Sequence, residues 1–128
     1  MNRVYFDTHF ERRESWEVWP AEFAIITAYA TTGETWPDSR NLAADRQLEA
    51  ELRRQRRWMR RLTGFSPADG HAEPGWAVDI GFHAVCDIGK RYEQDAIYYI
   101  IEDTLYVSFC DQRRALLEVG GFRVRVHP

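Results

Sequence analysis

Hydrophobic and polar positions follow two different periods along this chain. Residues 4–10 alternate weakly and read as an edge strand, and residues 12–17 form a charged, exposed stretch. The run Phe23-Ala24-Ile25-Ile26-Thr27-Ala28-Tyr29 is short, apolar and β-branched and ends in turn chemistry, which marks a buried strand. Residues 31–37 follow as a loop, with Gly33 and Pro37 as breakers. Over residues 39–62 the period becomes helical. Ala44, Leu48, Leu52, Met59 and Leu62 share one face, Asp38 or Ser39 can cap the start, and Gly64 stands where a left-handed C-terminal residue is wanted. The spacing therefore predicts one long helix. Asn41 falls on its apolar face and needs a polar partner there.

Residues 65–75 read as a loop rich in Gly, Pro and Asp, and residues 76–80 as a short strand. A second helix is expected over residues 82–93, with Ala84, Val85, Ile88 and Tyr92 on its inner face. Residues 96–101 and 105–109 form a hairpin around Glu102-Asp103-Thr104. The tail adds an element at 115–119 and a strand at 122–126, divided by Gly120-Gly121. The order β-α-β-α-β-β, with extra terminal strands, predicts an α+β fold. It implies a mixed, mainly antiparallel sheet with two helices on one face, the helical crossovers permitting parallel neighbours. No repeat, low-complexity stretch or linker divides residues 1–128, so a single domain is expected.

Composition narrows the class. With 45% hydrophobic and 29% charged residues the chain has the balance of a globular protein, not a disordered one. The formal net charge of −3 argues against a generic nucleic-acid binder and leaves a local basic patch open. No secretory signal opens the chain, and no apolar run approaches the roughly 20 residues that span a bilayer. The expected location is the cytoplasm, with Cys86 and Cys110 reduced and no membrane contact.

Several residues can carry chemistry. Arg53, Arg54, Arg56, Arg57, Arg60 and Arg61 can grip phosphates. On one long helix, however, all six project away from the apolar stripe, as an ordinary solvated face does. His83, Cys86 and Cys110 lack the ligand spacing of a zinc site, so no metal is expected, and no motif announces a cofactor. Neither Ser66 nor Ser108 has a base nearby in sequence. The loop Ala68-Asp69-Gly70-His71-Ala72-Glu73-Pro74 holds two carboxylates and an imidazole, a set able to supply an acid or base, or simply to make a solvated turn. Trp16, Trp19 and Trp36 flank the first buried strand, and any left exposed marks an interface, including one between two copies of the chain.

Four segments in order carry a family resemblance. They are the strand from Phe23 to Tyr29, Ser39-Arg40-Asn41 opening a helix, Glu73-Pro74 before a strand, and Tyr92-Glu93-Gln94-Asp95-Ala96-Ile97. Together they resemble the bacterial domain-of-unknown-function 3293 family over residues 20–108. The chain departs from the pattern at Ala30-Thr31, where Asn-Pro is expected, and at Tyr92-Glu93, where Phe-Gly is usual. The resemblance implies no activity. It singles out Thr27, Tyr29, Asn41, Glu73 and Gln94, polar groups at element ends.

Three functional readings follow. The first is a cleft near Thr27, Asn41, Glu73 and Gln94 for a small polar or nucleotide-like ligand, with Glu73 as candidate base. The second is a module contacting nucleic acid or an acidic partner through Arg53, Arg56, Arg57 and Arg60. The third is a homo-oligomeric accessory protein. Each polar residue also has a bracing role open to it: Asn41 at the helix start, Gln94 on backbone groups where the second helix ends, Glu73 against an Arg. Whether the chain is an enzyme is not fixed by its sequence.

Overall fold

The computed structural model describes residues 1–14 and 18–128. Trp16, and residues 15–17 of the expected charged stretch, thus lie outside the described residues. The elements in chain order are α1 (Val4–Asp7), β1 (His9–Arg12), β2 (Glu22–Ile26), α2 (Asp38–Arg54), β3 (Met59–Phe65), β4 (Ala72–Val78), α3 (Phe82–Arg91), β5 (Ala96–Ile101), β6 (Thr104–Phe109), β7 (Leu117–Gly121), a 3-10 turn (Arg123–Arg125) and β8 (Val126–His127). One sheet joins the strands in the order β7-β6-β5-β2-β4-β3-β1-β8. Every pairing is antiparallel except β1 with β8. The α+β class and the mixed, mainly antiparallel sheet are as the sequence implies. The helical crossovers, by contrast, join no parallel neighbours: β2 lies between β4 and β5 and runs against both.

Two apolar layers flank the sheet. On one face Leu48 and Leu52 of α2 and Val85, Cys86 and Ile88 of α3 pack on Ala24, Ile26, Val78 and Ile97. Both long helices therefore cover the same side. On the other face Phe10, Phe23, Ile25, Leu62, Ala77, Ile100, Leu105 and Phe122 form a second cluster. The sheet curls around it, because Phe10 of β1 meets Phe122, just past β7 near the far edge, at 5.6 Å between ring centroids. Alternating side chains on a strand serve both layers at once, which is why β2 is buried at four consecutive positions.

The long helix predicted over 39–62 is two elements. Arg56 adopts φ +53°, the left-handed conformation that ends a helix, and the chain reverses into β3. Met59 and Leu62, which share a helical stripe in the sequence, then lie on opposite faces of the sheet. Gly64 is no helix cap but a strand residue opposite Phe10. Nor does Asp38 or Ser39 cap α2: its N-cap is Pro37, with no side-chain capping bond. The six arginines are not one solvated helix face. Arg53 and Arg54 end α2, Arg56 and Arg57 occupy the turn, and Arg60 and Arg61 lie on β3.

What links α2 to β3 is a pair absent from the sequence reading. Asp45, buried on α2, accepts two hydrogen bonds from the Arg61 guanidinium at 2.8 and 2.9 Å and one from the Trp76 indole at 3.2 Å. Arg61 also lies 4.3 Å from the Trp76 ring centroid.

Smaller corrections follow the same logic. Residues 4–7 form a helical turn, and β1 is interior to the sheet, between β3 and β8. The loop expected over 65–75 is shorter, residues 66–71: β3 runs to Phe65, β4 begins at Ala72, and the turn is closed by Ser66 N–H donating to His71 O at 2.8 Å. Ala84 is exposed, and Gly89 faces the core instead, where Cys110 Sγ leaves no room for a Cβ. Of residues 122–126 only Val126 is strand, the start of β8; Phe122 plugs the concave cluster and a 3-10 turn follows. No helix among the described residues is long and apolar enough to cross a membrane.

Candidate ligand-binding site

The concave face is filled at one end and open at the other. Five strands each carry a row of side chains toward that open end, and each row becomes small or polar there. Along β2 and just past its end the row is Phe23, Ile25, Thr27; along β4, Ala77, Gly75, Glu73; along β5, Ile100, Tyr98, Ala96. Leu62 gives way to Gly64 on β3, and Phe10 to Thr8 before it on the chain. Large side chains thus stop short, leaving a cavity of about 410 Å³, within the size range of small-molecule sites. Ile25, Leu62 and Phe10 floor it. One wall is α1 with Val4 and Tyr5, another the loop from Thr31 to Thr35, and Ser66 and His71 stand on the β3–β4 turn.

Backbone geometry keeps the cavity open between β2 and β4. Their ladder ends at Ile26 and Trp76. Pro74 has no N–H, and its carbonyl is taken by the Thr27 hydroxyl at 2.8 Å. Gly75 must be glycine, since a Cβ there would stand 2.8 Å from Ile26 O.

Glu73 is the half-buried carboxylate on the cavity wall, where Glu34 also stands, exposed. The Glu73 side chain is 28% exposed, and Oε1 lies 3.2 Å from His71 Nε2. Burial pushes its carboxyl above the ordinary value, and the neighbouring His71 pulls part of that back. Burial also raises the hydroxyls of Tyr5 and Tyr98, so both are neutral donors and acceptors in the physiological range. Tyr98 donates to Tyr5 O at 2.7 Å, which pins α1 over the cavity.

Of the five motif residues, Thr27, Glu73 and Gln94 line this cavity. Asn41 and Tyr29 do not. Asn41 Oδ1 accepts the Ala30 N–H at 2.9 Å and braces the chain leaving β2. Tyr29 contributes its carbonyl, which accepts from Gln94 Nε2 at 2.7 Å. Gln94 also donates to Tyr92 O, so it serves backbone groups and the cavity wall together. Glu73 pairs with a histidine, not an arginine. Tyr5, Thr8, Thr31 and Tyr98, none of them a site candidate from the sequence, complete the site. The signal that could have found the opening is the set Gly64, Gly75 and Ala96, visible once β3 is read as a strand.

The other candidates sit elsewhere. Arg53 pairs with Glu49, Arg57 donates to Asp79 O, and Arg60 donates to Met59 O beside the Trp58 ring. Arg56 is exposed in the turn. Trp19 packs among Phe23, Trp58 and Phe122, and Arg40 covers Trp36 at 3.6 Å. Cys86 and Cys110 are buried and not joined in a disulfide, and no group of three or more His, Cys, Asp or Glu able to hold a metal exists among the described residues.

A curled α+β sheet with helices on its convex side and a cavity in its concave side is the class that fold and site define. The sequence pattern of a family described as "Protein of unknown function (DUF3293)" matches residues 26–97, more than half of the chain, and the chain belongs to that family. The matched region holds Thr27, Asn41, Glu73 and Gln94. No match was found among curated proteins or among solved structures.

Proposed function

We propose that the protein binds a small organic molecule in the concave cavity, with the apolar part of the ligand on Ile25, Leu62 and Phe10 and its polar end at Glu73. The observation that carries this reading is the cavity itself: an apolar floor with one half-buried carboxylate on its wall. Glu73 serves as a hydrogen-bond anchor, and as base if the bound molecule presents an acidic proton to it. A phosphate-bearing nucleotide suits the site poorly, because no Arg or Lys lines it. No specific observation favours the arginine surface, whose members are spread over three elements.

N-phenylnaphthylamine, a neutral dye that brightens in apolar surroundings, tests the reading. Saturable binding is expected, and Ala96→Phe, which fills the cavity from its wall, is expected to abolish it without lowering the melting temperature greatly. Gly64→Leu provides a second filling variant, since the Cβ there meets Thr8 and Phe10 only at ordinary contact distance. Undiminished dye binding by both folded variants would place the ligand site elsewhere.

A further inference from the structure

Which groups a ligand must bring can be worked out from the hydrogens already committed around the cavity, taking it as the ligand site. A hydroxyl has one hydrogen to donate and two lone pairs with which to accept. Once its hydrogen is given to the protein, it meets a ligand only as an acceptor. Thr27 gives its hydrogen to Pro74 O at 2.8 Å, Thr8 to Val4 O at 2.9 Å, and Tyr98 to Tyr5 O at 2.7 Å. Gln94 follows the same pattern in a drier place. It is only 7% exposed, its Nε2 is used on Tyr29 O and Tyr92 O, and its Oε1 accepts no hydrogen bond among the described residues. A buried acceptor left empty costs about 1–3 kcal/mol, so a ligand that donates to it is favoured. Glu73 adds two more acceptor atoms. The hydroxyls of Thr31 and Thr32 are engaged with the Tyr5 hydroxyl, and Thr35 stands exposed at the mouth.

Charge points the same way. Glu73 and Glu34 line the cavity, and none of the sixteen arginines nor Lys90 does. Arg125, near α1, directs its guanidinium at Phe6 O and Thr8 O. The rings of Tyr5 and Tyr98 offer π faces that attract a cation. An anionic ligand would meet a carboxylate with only the His71 imidazole to offset it.

We infer that the ligand is an organic amine, whose protonated amino group donates to the acceptors of Glu73 and Gln94 while an aryl or alkyl body rests on the apolar floor. This inference deepens the cavity reading and depends on it.

Phenylbutylamine, phenylbutanol and phenylbutyrate share one apolar body and differ only in headgroup. Calorimetric titration is expected to rank the amine about tenfold or more above the alcohol, as a charge-assisted bond implies, and to find no binding of the carboxylate. Glu73→Gln keeps the shape of the wall, so amine affinity should fall to that of the alcohol while alcohol affinity stays the same. On the unmodified protein, acidification should weaken the amine as Glu73 gains a proton and leave the alcohol unaffected, so the result does not depend on a variant folding. Alcohol or carboxylate binding as tightly as the amine overturns the amine assignment and leaves the cavity reading standing. Silence from all three probes together with N-phenylnaphthylamine overturns the cavity reading, and the amine assignment with it.

Discussion

Replacing Asp45 by Leu removes the group that ties α2 to β3, and the structure sets the size of the effect. The carboxylate accepts two charge-assisted bonds from Arg61 and one from the Trp76 indole. With the side chains of Asp45 and Arg61 only 9% and 17% exposed, water cannot replace those partners well. Leaving one member of a buried pair uncompensated costs about 3–5 kcal/mol, and the residual exposure of Arg61 places this site at the lower end, about 3 kcal/mol. For a domain of this length that corresponds to a fall in melting temperature of roughly 10–15 °C. Urea unfolding of Asp45→Leu, Arg61→Met and the double variant forms a cycle. Each single change should be costly, because each strands a charge in a half-dry site. The double variant should recover much of the loss, since an apolar pair of similar volume can stand in for a buried ion pair. The coupling should exceed about 2 kcal/mol. A cost below about 1 kcal/mol for Asp45→Leu, with additive single effects, would mean that the pair is ornamental and that α2 is held to β3 by apolar packing alone.

Three further outcomes follow from particular residues. Gly75→Ala should destabilise by about 1–3 kcal/mol in the same unfolding assay, because its Cβ would stand 2.8 Å from Ile26 O and backbone must shift; a neutral result would mean the split between β2 and β4 is pliable. Glu93 holds φ +58° just past α3, so Glu93→Gly should stabilise by about 0.5 kcal/mol, net of the lost exposed pair with Arg40, and destabilisation would contradict the strain. Glu73 titrates above 4.5 in the folded chain, so the fold holds its proton more tightly than the unfolded chain does. Its stabilising contribution is full below that ordinary value and is lost as pH rises through the raised one. Glu73→Gln should therefore melt higher than the parent at neutral pH, with the gap closing on acidification, and a gap independent of pH would contradict burial as the cause.

Local signals explain why parts of this fold are legible and others are not. The strand at Phe23, the second helix and the hairpin at Glu102 each have one period and clear punctuation, and all three are found, although the strand ends at Ile26 and not at Tyr29. The run from Ser39 to Leu62 misleads because its break carries no Gly or Pro: Arg56 takes the left-handed conformation, and Met59 and Leu62 keep helical spacing by coincidence. The same misreading hides the cavity, since the small residues that open it are recognisable only by strand parity. Glu93 shows the converse. The family resemblance leads to the expectation of a Gly at that point, and the positive φ observed there is a physical reason for one. Within the candidate site, Thr27, Glu73 and Gln94 were accessible from sequence because polar groups at element ends stand out. Tyr5, Thr8 and Tyr98 were not, because only the curl of the sheet brings β1 and α1 over β5. Asn41 stands out equally in sequence yet holds the backbone of Ala30.

Amide chemical-shift mapping with phenylbutylamine tests the central claim most directly, because it locates a ligand without assuming an activity. The cavity account predicts saturable shifts at Thr27, Thr32, Glu73, Gln94 and Tyr98, with Arg53, Arg56, Arg57 and the length of α3 unmoved. Shifts gathered on the arginine turn or on the helical face, or none from phenylbutylamine and N-phenylnaphthylamine alike, would contradict it.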